Sequence, residues 1–296
     1  MLSDCGKSLH FRLSGGISIP VILLAGSALI LTGCGGKKHI PVTAKLKGHE
    51  VDVPKNGGTT VAATTVPGKV SFDEDNLGTI TGSVVFKGKP EPNLNIPMTD
   101  KACANHPNNA GKTPKSDKVL VSDGGGLKNS VVFLYKPPEG ADPKTETVTI
   151  VQAGCMYGPH VVAVQTGQPM TVSNSDGTTH NVKATPIKQE GFNFTQSKGD
   201  IDQLSFTKRE FIPIRCDVHS WMQAWIAVFD HPFFAITDED GNFEITGVPV
   251  GENYEVRAWH EYYGNTFVKT KVLKQKGVKV EARKATELTF TFKSKK

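Results

Sequence analysis

From about Thr79 onward the chain alternates short apolar, β-branched runs with clusters of turn residues. The runs include "TITGSVVFKG", "NSVVFLYK", "TVTIVQ", "HVVAVQTG", "PMTVSNSDG", "EFIPIRC", "AWIAVFD", "NFEITGV", "YEVRAWH" and "ELTFTFK". Val, Ile, Phe, Thr and Tyr fill them, and Gly, Asp, Asn and Pro separate them. In "NFEITGV", Phe243 and Ile245 alternate with polar neighbours, which is the period of a strand with one buried face. No window carries a long, capped helical stripe. Short strands at this spacing predict an all-β protein built from sandwiches or barrels.

The first residues follow another pattern. Residues 1–16 hold Lys7 and Arg12, and an uncharged, largely apolar run extends from Ile17 to Thr32. A charged start, an apolar core and a small-residue end predict a secretory signal over 1–33. Its last four residues, Leu31-Thr32-Gly33-Cys34, resemble the bacterial lipobox. That resemblance implies a lipidated Cys34 anchored to a membrane, because each buried methylene contributes about 0.8 kcal/mol. An ordinary signal cut with Cys34 unmodified is the alternative. Residues 34–78, with "KNGGTTVAATTVPG" in their midst, lack an apolar period and read as a flexible tether. The formal charge of +5 over 296 residues is mild. It falls by one when Lys7, Arg12 and Asp4 leave, and no basic block argues for nucleic acid. The expected location is the bacterial cell envelope, on its periplasmic or extracellular face.

"ITGSVVFKGKP" and "AITDEDGNFEITGVPVGENYEVRAWHE" resemble the beginning and end of a carboxypeptidase regulatory-like, or transthyretin-like, β-sandwich. Asp240-Gly241 supplies the tight hairpin of that pattern. The resemblance implies one sandwich in two pieces, 79–140 and 232–296, with a second sandwich over 141–231 inserted into it. Insertion is physically cheap when the guest's ends lie close together. Two consecutive domains are the plain alternative.

Five cysteines sharpen the chemistry. Cys5 falls in the signal and Cys34 at its end, which leaves Cys103, Cys155 and Cys216. In an oxidising compartment an odd thiol needs a reason. The simplest partition pairs Cys103 with Cys155 and frees Cys216; three unpaired cysteines is the other arrangement.

"RCDVHSWMQAW" contains C-x-x-H-x-x-M: Cys216, His219 and Met222, between two predicted strands. Upstream, "NSDGTTHNV" places His180 at the start of another strand. Two histidines and a cysteine with a weak axial methionine form the donor set of an electron-transfer copper site. Residues 141–231 thus resemble a cupredoxin, with the loop spacing of amicyanin. The resemblance implies a Greek-key sandwich holding one mononuclear type 1 copper. His180, Cys216 and His219 would be its ligands and Met222 the axial one, with His219 at an exposed edge. Asn181 would orient the ligand loops from behind the metal. Cupredoxin loops of this kind carry prolines beside the second histidine, whereas Val218 and Ser220 stand here. Zinc accepts the same donors.

Other residues are weighed against plainer roles. His160, His231 and His260 read as packing or partly buried structural residues, and His106 as a loop residue with no visible partner. Trp225 reads as core or inter-domain packing, and Trp221 as an exposed apolar rim for a redox partner. No nucleophile, acid–base pair or phosphate loop argues for an enzyme. The expected function is a membrane-anchored carrier of single electrons between redox protein partners. A copper-handling or storage lipoprotein is one alternative, and a surface-binding module with a vestigial metal site another.

Overall fold

The computed structural model describes residues 72–264 and 272–294. The expected signal, Cys34 and the tether up to residue 71 lie outside the described residues. The first described elements lie just before residue 78: Glu74–Asn76 form a 3-10 turn and the first strand starts at Leu77.

The described chain is all-β. After β1 (Leu77–Lys87) come a single-turn helix, α1 (Lys101–Ala104), and β2 (Val131–Leu134). Nine strands follow: β3 (Val148–Gln152), β4 (Tyr157–Gly158), β5 (Val161–Gln165), β6 (Met170–Asn174), β7 (His180–Ala184), β8 (Phe192–Gln196), β9 (Ile201–Leu204), β10 (Glu210–Arg215) and β11 (Gln223–Phe229). The last are β12 (Phe234–Ile236), β13 (Asn242–Pro249), β14 (Gly251–Trp259), β15 (Leu273–Val280) and β16 (Ala285–Lys293).

These strands form four sheets. Two of them, β13-β1-β16 and β12-β2-β14-β15, draw only on strands before residue 140 and after residue 232. The other two, β5-β11-β10-β7-β8 and β4-β3-β6-β9, use only strands between those limits. Each pair of sheets encloses its own apolar core, one around Ile80, Leu134 and Phe292 and one around Ile150, Val172 and Ile226.

A third core joins the pairs, and the sequence of β2 and β11 explains it. Both are apolar at every interior position, the pattern of a strand buried on two faces. Val132 and Leu134 enter the first core, while Val131 and Phe133 turn the other way. From β11, Ile226 and Val228 enter the second core, and Trp225, Ala227 and Phe229 meet Phe133 and Trp259. The indole of Trp259 stacks on Phe211 at 4.3 Å between ring centres.

One local expectation is corrected. The Asp240-Gly241 turn forms, with Asp238 Oδ1 accepting N–H groups of Asp240 and Asn242. It is not a hairpin: β12 before it pairs with β2, and β13 after it pairs with β1.

Candidate metal centre

Strand pairing brings the candidate ligands to one end of the second sandwich. On β10, Arg215 pairs with Lys183 of β7 and with Gln223 of β11. His180, which opens β7, therefore lies beside the 216–222 loop that links β10 to β11. That loop is closed by its own backbone: the Cys216 N–H donates to Met222 C=O (3.1 Å), and the Met222 N–H to His219 C=O (2.9 Å).

Three donor atoms converge there. His180 Nδ1 and His219 Nδ1 are 2.9 Å apart, and Cys216 Sγ is 3.9 Å from His219 Nδ1. All three residues are buried. Two nitrogens and a thiolate bound to one ion at about 2.0 and 2.3 Å in a plane would stand about 3.5–3.7 Å apart. The observed spacings fit such an ion after shifts of about half an ångström. Met222 is fully buried in the apolar core that also holds Cys216.

The surroundings prepare these atoms as ligands. The amide N–H groups of Asn181 and His219 point at Cys216 Sγ, each at 3.4 Å. Burial alone would raise the thiol pKa, but His180 and these amides bring it below its ordinary value. Asn181 Oδ1 accepts the Asp217 N–H at 2.6 Å and the Cys216 thiol at 3.3 Å, so Asn181 ties β7 to the ligand loop.

Behind each imidazole stands a carboxylate. His180 Nε2 is 2.8 Å from Asp176 Oδ2, and His219 Nε2 is 3.4 Å from Asp100 Oδ2. An Nε2–H given to a carboxylate leaves Nδ1 with its lone pair free for a metal. Burial would lower the pKa of His180, but Asp176 and Cys216 outweigh it and hold the ring at about 9. Burial depresses His219, with Asp100 opposing. Asp176 also accepts the N–H groups of Gly154 (2.6 Å) and Cys155 (2.8 Å). Neither aspartate figures among the residues expected from the sequence. "NSDGTTH" does carry a signal for Asp176, four residues before His180, whereas nothing local marks Asp100.

The structure brings His180, Asn181, Cys216, His219 and Met222 to one site, and joins Cys103 to Cys155 in a disulfide. Among the described residues Cys216 is the free cysteine. Three expectations need correction. His219 does not stand at an exposed edge: it is 3% exposed, with Cys103 Sγ 3.5 Å from its Nε2. Trp221 is half-buried rather than an exposed rim; its Nε1 donates to Cys155 C=O at 3.0 Å, and its ring stands 5.2 Å from that of His219. His106 has a partner, Asp176, at 3.5 Å.

The remaining residues lie away from the centre. Trp225 packs in the joining core and donates to Glu261 at 2.9 Å. His160 pairs with Glu261 and, at 3.0 Å, with Asp117. His231 and His260 are buried.

No protein-family model matches this chain, and no curated protein is similar to it. Solved structures similar to part of it include a copper-containing nitrite reductase from Thermus scotoductus SA-01, at 19% identity and TM-score 0.28. That likeness covers 32% of this chain and 25% of the reductase, so the chain spans a quarter of that protein's length. A purple cupredoxin from Nitrosopumilus maritimus matches at 19% identity and TM-score 0.25, over 28% of this chain and 99% of its own. A reduced copper(I) form of an amicyanin variant matches at 19% identity and TM-score 0.27, over 33% and 98%. What the centre can do follows from its own donors: two imidazoles and one cysteine sulfur, buried and backed by carboxylates, make a soft site for a single transition-metal ion once its binding displaces their protons.

Proposed function

We propose that this protein carries single electrons through one mononuclear copper ion held by His180, Cys216 and His219, with Met222 as a weak fourth ligand. The convergence of the three buried donor atoms carries this reading. Copper bound there supplies a Cu(I)/Cu(II) couple. Thiolate and thioether favour the reduced ion and imidazole suits both states. The chain does the rest: Asn181 and the loop amides hold the sulfur, Asp176 and Asp100 hold the rings, and the apolar core excludes water. A donor set that changes little between oxidation states keeps reorganisation small. The resemblance of the N-terminal segment to a lipobox extends the proposal to a chain anchored through Cys34 outside the cytoplasm. Its electron donor and acceptor would be redox proteins.

Copper(II) added to the purified chain should give an intense visible band from sulfur-to-copper charge transfer and a type 1 electron paramagnetic resonance spectrum. Cys216→Ala should abolish both. A chain that stays colourless, or prefers zinc, overturns the proposal. A copper-handling role predicts instead that Cu(I) passes to a competing acceptor on reduction. The burial of His219 favours retention over hand-off.

A further inference from the structure

We infer that residues 96–114 form a lid over the metal centre, and that the Cys103–Cys155 disulfide is the lock that holds it shut. This rests on the copper reading above and adds to it how the centre is closed.

The segment has the build of a lid. Its two ends meet: the Ile96 N–H donates to Pro114 C=O (2.8 Å), and the Ser116 N–H to Leu94 C=O (2.9 Å). Between these hinges the chain leaves the sheets, turns through α1 and returns. The turn of α1 is set by Asp100, whose Oδ1 accepts the Ala102 N–H at 2.7 Å. This places Asp100 and Cys103 on the outer face of His219, at 3.4 and 3.5 Å from its Nε2.

Apart from the disulfide, the lid is held by Met98, which packs against the second core, and by a few polar contacts. Asn109 Nδ2 donates to Cys103 C=O (2.9 Å) and across the gap to Gly154 C=O (2.7 Å). Thr178 Oγ1 donates to Asp100 at 3.3 Å, and His106 meets Asp176 at 3.5 Å. Each such polar contact nets about 1 kcal/mol or less, so without a covalent tie the segment would open locally. Cys155 anchors the tie firmly: its N–H is fixed by Asp176 and its C=O by Trp221. The disulfide therefore fastens the lid to the loop that also holds the carboxylate behind His180. Locked, the lid keeps solvent, chelators and foreign metals from His219.

Diethyl pyrocarbonate labelling of the metal-free full-length chain tests this, read at His219 by peptide mass spectrometry. In the disulfide-bonded chain His219 should label at least about tenfold more slowly than in the urea-unfolded chain, and a Cys103→Ser/Cys155→Ser variant should regain most of that factor. Circular dichroism shows whether that variant is folded. Where it is not, the native chain reduced without denaturant and then freed of reductant carries the test, its fold checked in the same way. It should label about threefold or more faster than the disulfide-bonded chain. His219 labelling at the unfolded rate in the native chain overturns the lid. Unchanged protection in the folded double variant, or in the reduced chain where that variant does not fold, overturns the lock. Because no metal is present, a chain that takes up no copper sinks the copper reading and leaves this result standing.

Discussion

Asp176 receives the N–H groups of Gly154 and Cys155 on one side and faces His180 Nε2 on the other. One carboxylate thus fixes a ligand's tautomer and the loop that carries the disulfide. Replacing it by asparagine keeps the shape but removes the charge and turns one of its two accepting oxygens into a donor. Asp176→Asn should weaken copper binding about 10–100-fold, the usual effect of losing such a partner. Competition titration against a chelator measures it, and a change below about twofold would mean that Asp176 serves the loop alone. Cys216, His219 and Met222 were legible because they are close in sequence, and Asn181 because it adjoins His180. Asp100 was not, because its approach to His219 depends on a lid folded back across a long stretch of chain. The same contact explains why His219 is buried: its spacing from Cys216 marks it as a ligand and says nothing about what covers its outer nitrogen.

The apolar pattern missed β4, β8, β9, β12 and β15, and each lies at the edge of its sheet. Three edge strands with a stronger apolar face, β5, β13 and β16, were revealed. An edge strand faces water and carries polar or charged side chains, which blunts its signature. β15, "LKQKGVKV", is the clearest case: only Val278 and Val280 of it are buried. Within β1, Gly82 shows a constraint that no propensity conveys. Its φ is 150°, and a Cβ there would stand 1.8 Å from the Leu288 carbonyl oxygen of the paired β16. Gly82→Ala should therefore cost about 2–4 kcal/mol in urea unfolding. Gly199→Ala makes the contrast: its φ of 88° is left-handed but the space is open, so it should cost about 1–2 kcal/mol. Equal losses at the two sites would show that backbone conformation, and not the approach of β16, sets the penalty.

Across the whole molecule, three buried histidines near the meeting of the two pairs of sheets pull stability in opposite directions with pH. His160, after β4, is enclosed by Asp117 and by Glu261, which follows β14. Burial works against its charge, yet the two carboxylates prevail and raise its pKa from 6.5 to about 10. A raised pKa means that folding favours the protonated ring. Its contribution is complete below about pH 6.5 and is lost as pH climbs through 10. His231 and His260 behave oppositely: burial depresses both to about 4. Their contribution is complete above about pH 6.5 and is lost as pH falls toward 4, where unfolding lets them take up protons. Stability should therefore peak near pH 6.5–7. On the alkaline side His180, held at about 9, acts together with His160, so stability should decline by up to about 2.7 kcal/mol per pH unit. Two histidines act on the acid side, so the decline there should reach up to about 2.7 kcal/mol per unit. Guanidinium unfolding of the metal-free chain between pH 5 and 9.5 traces this curve. His160→Gln should reduce the alkaline slope by about half, leaving the share of His180, and leave the acid limb in place. An alkaline slope left unchanged by that substitution would mean that the buried pairing of His160 with Asp117 and Glu261 adds no stability below neutral pH.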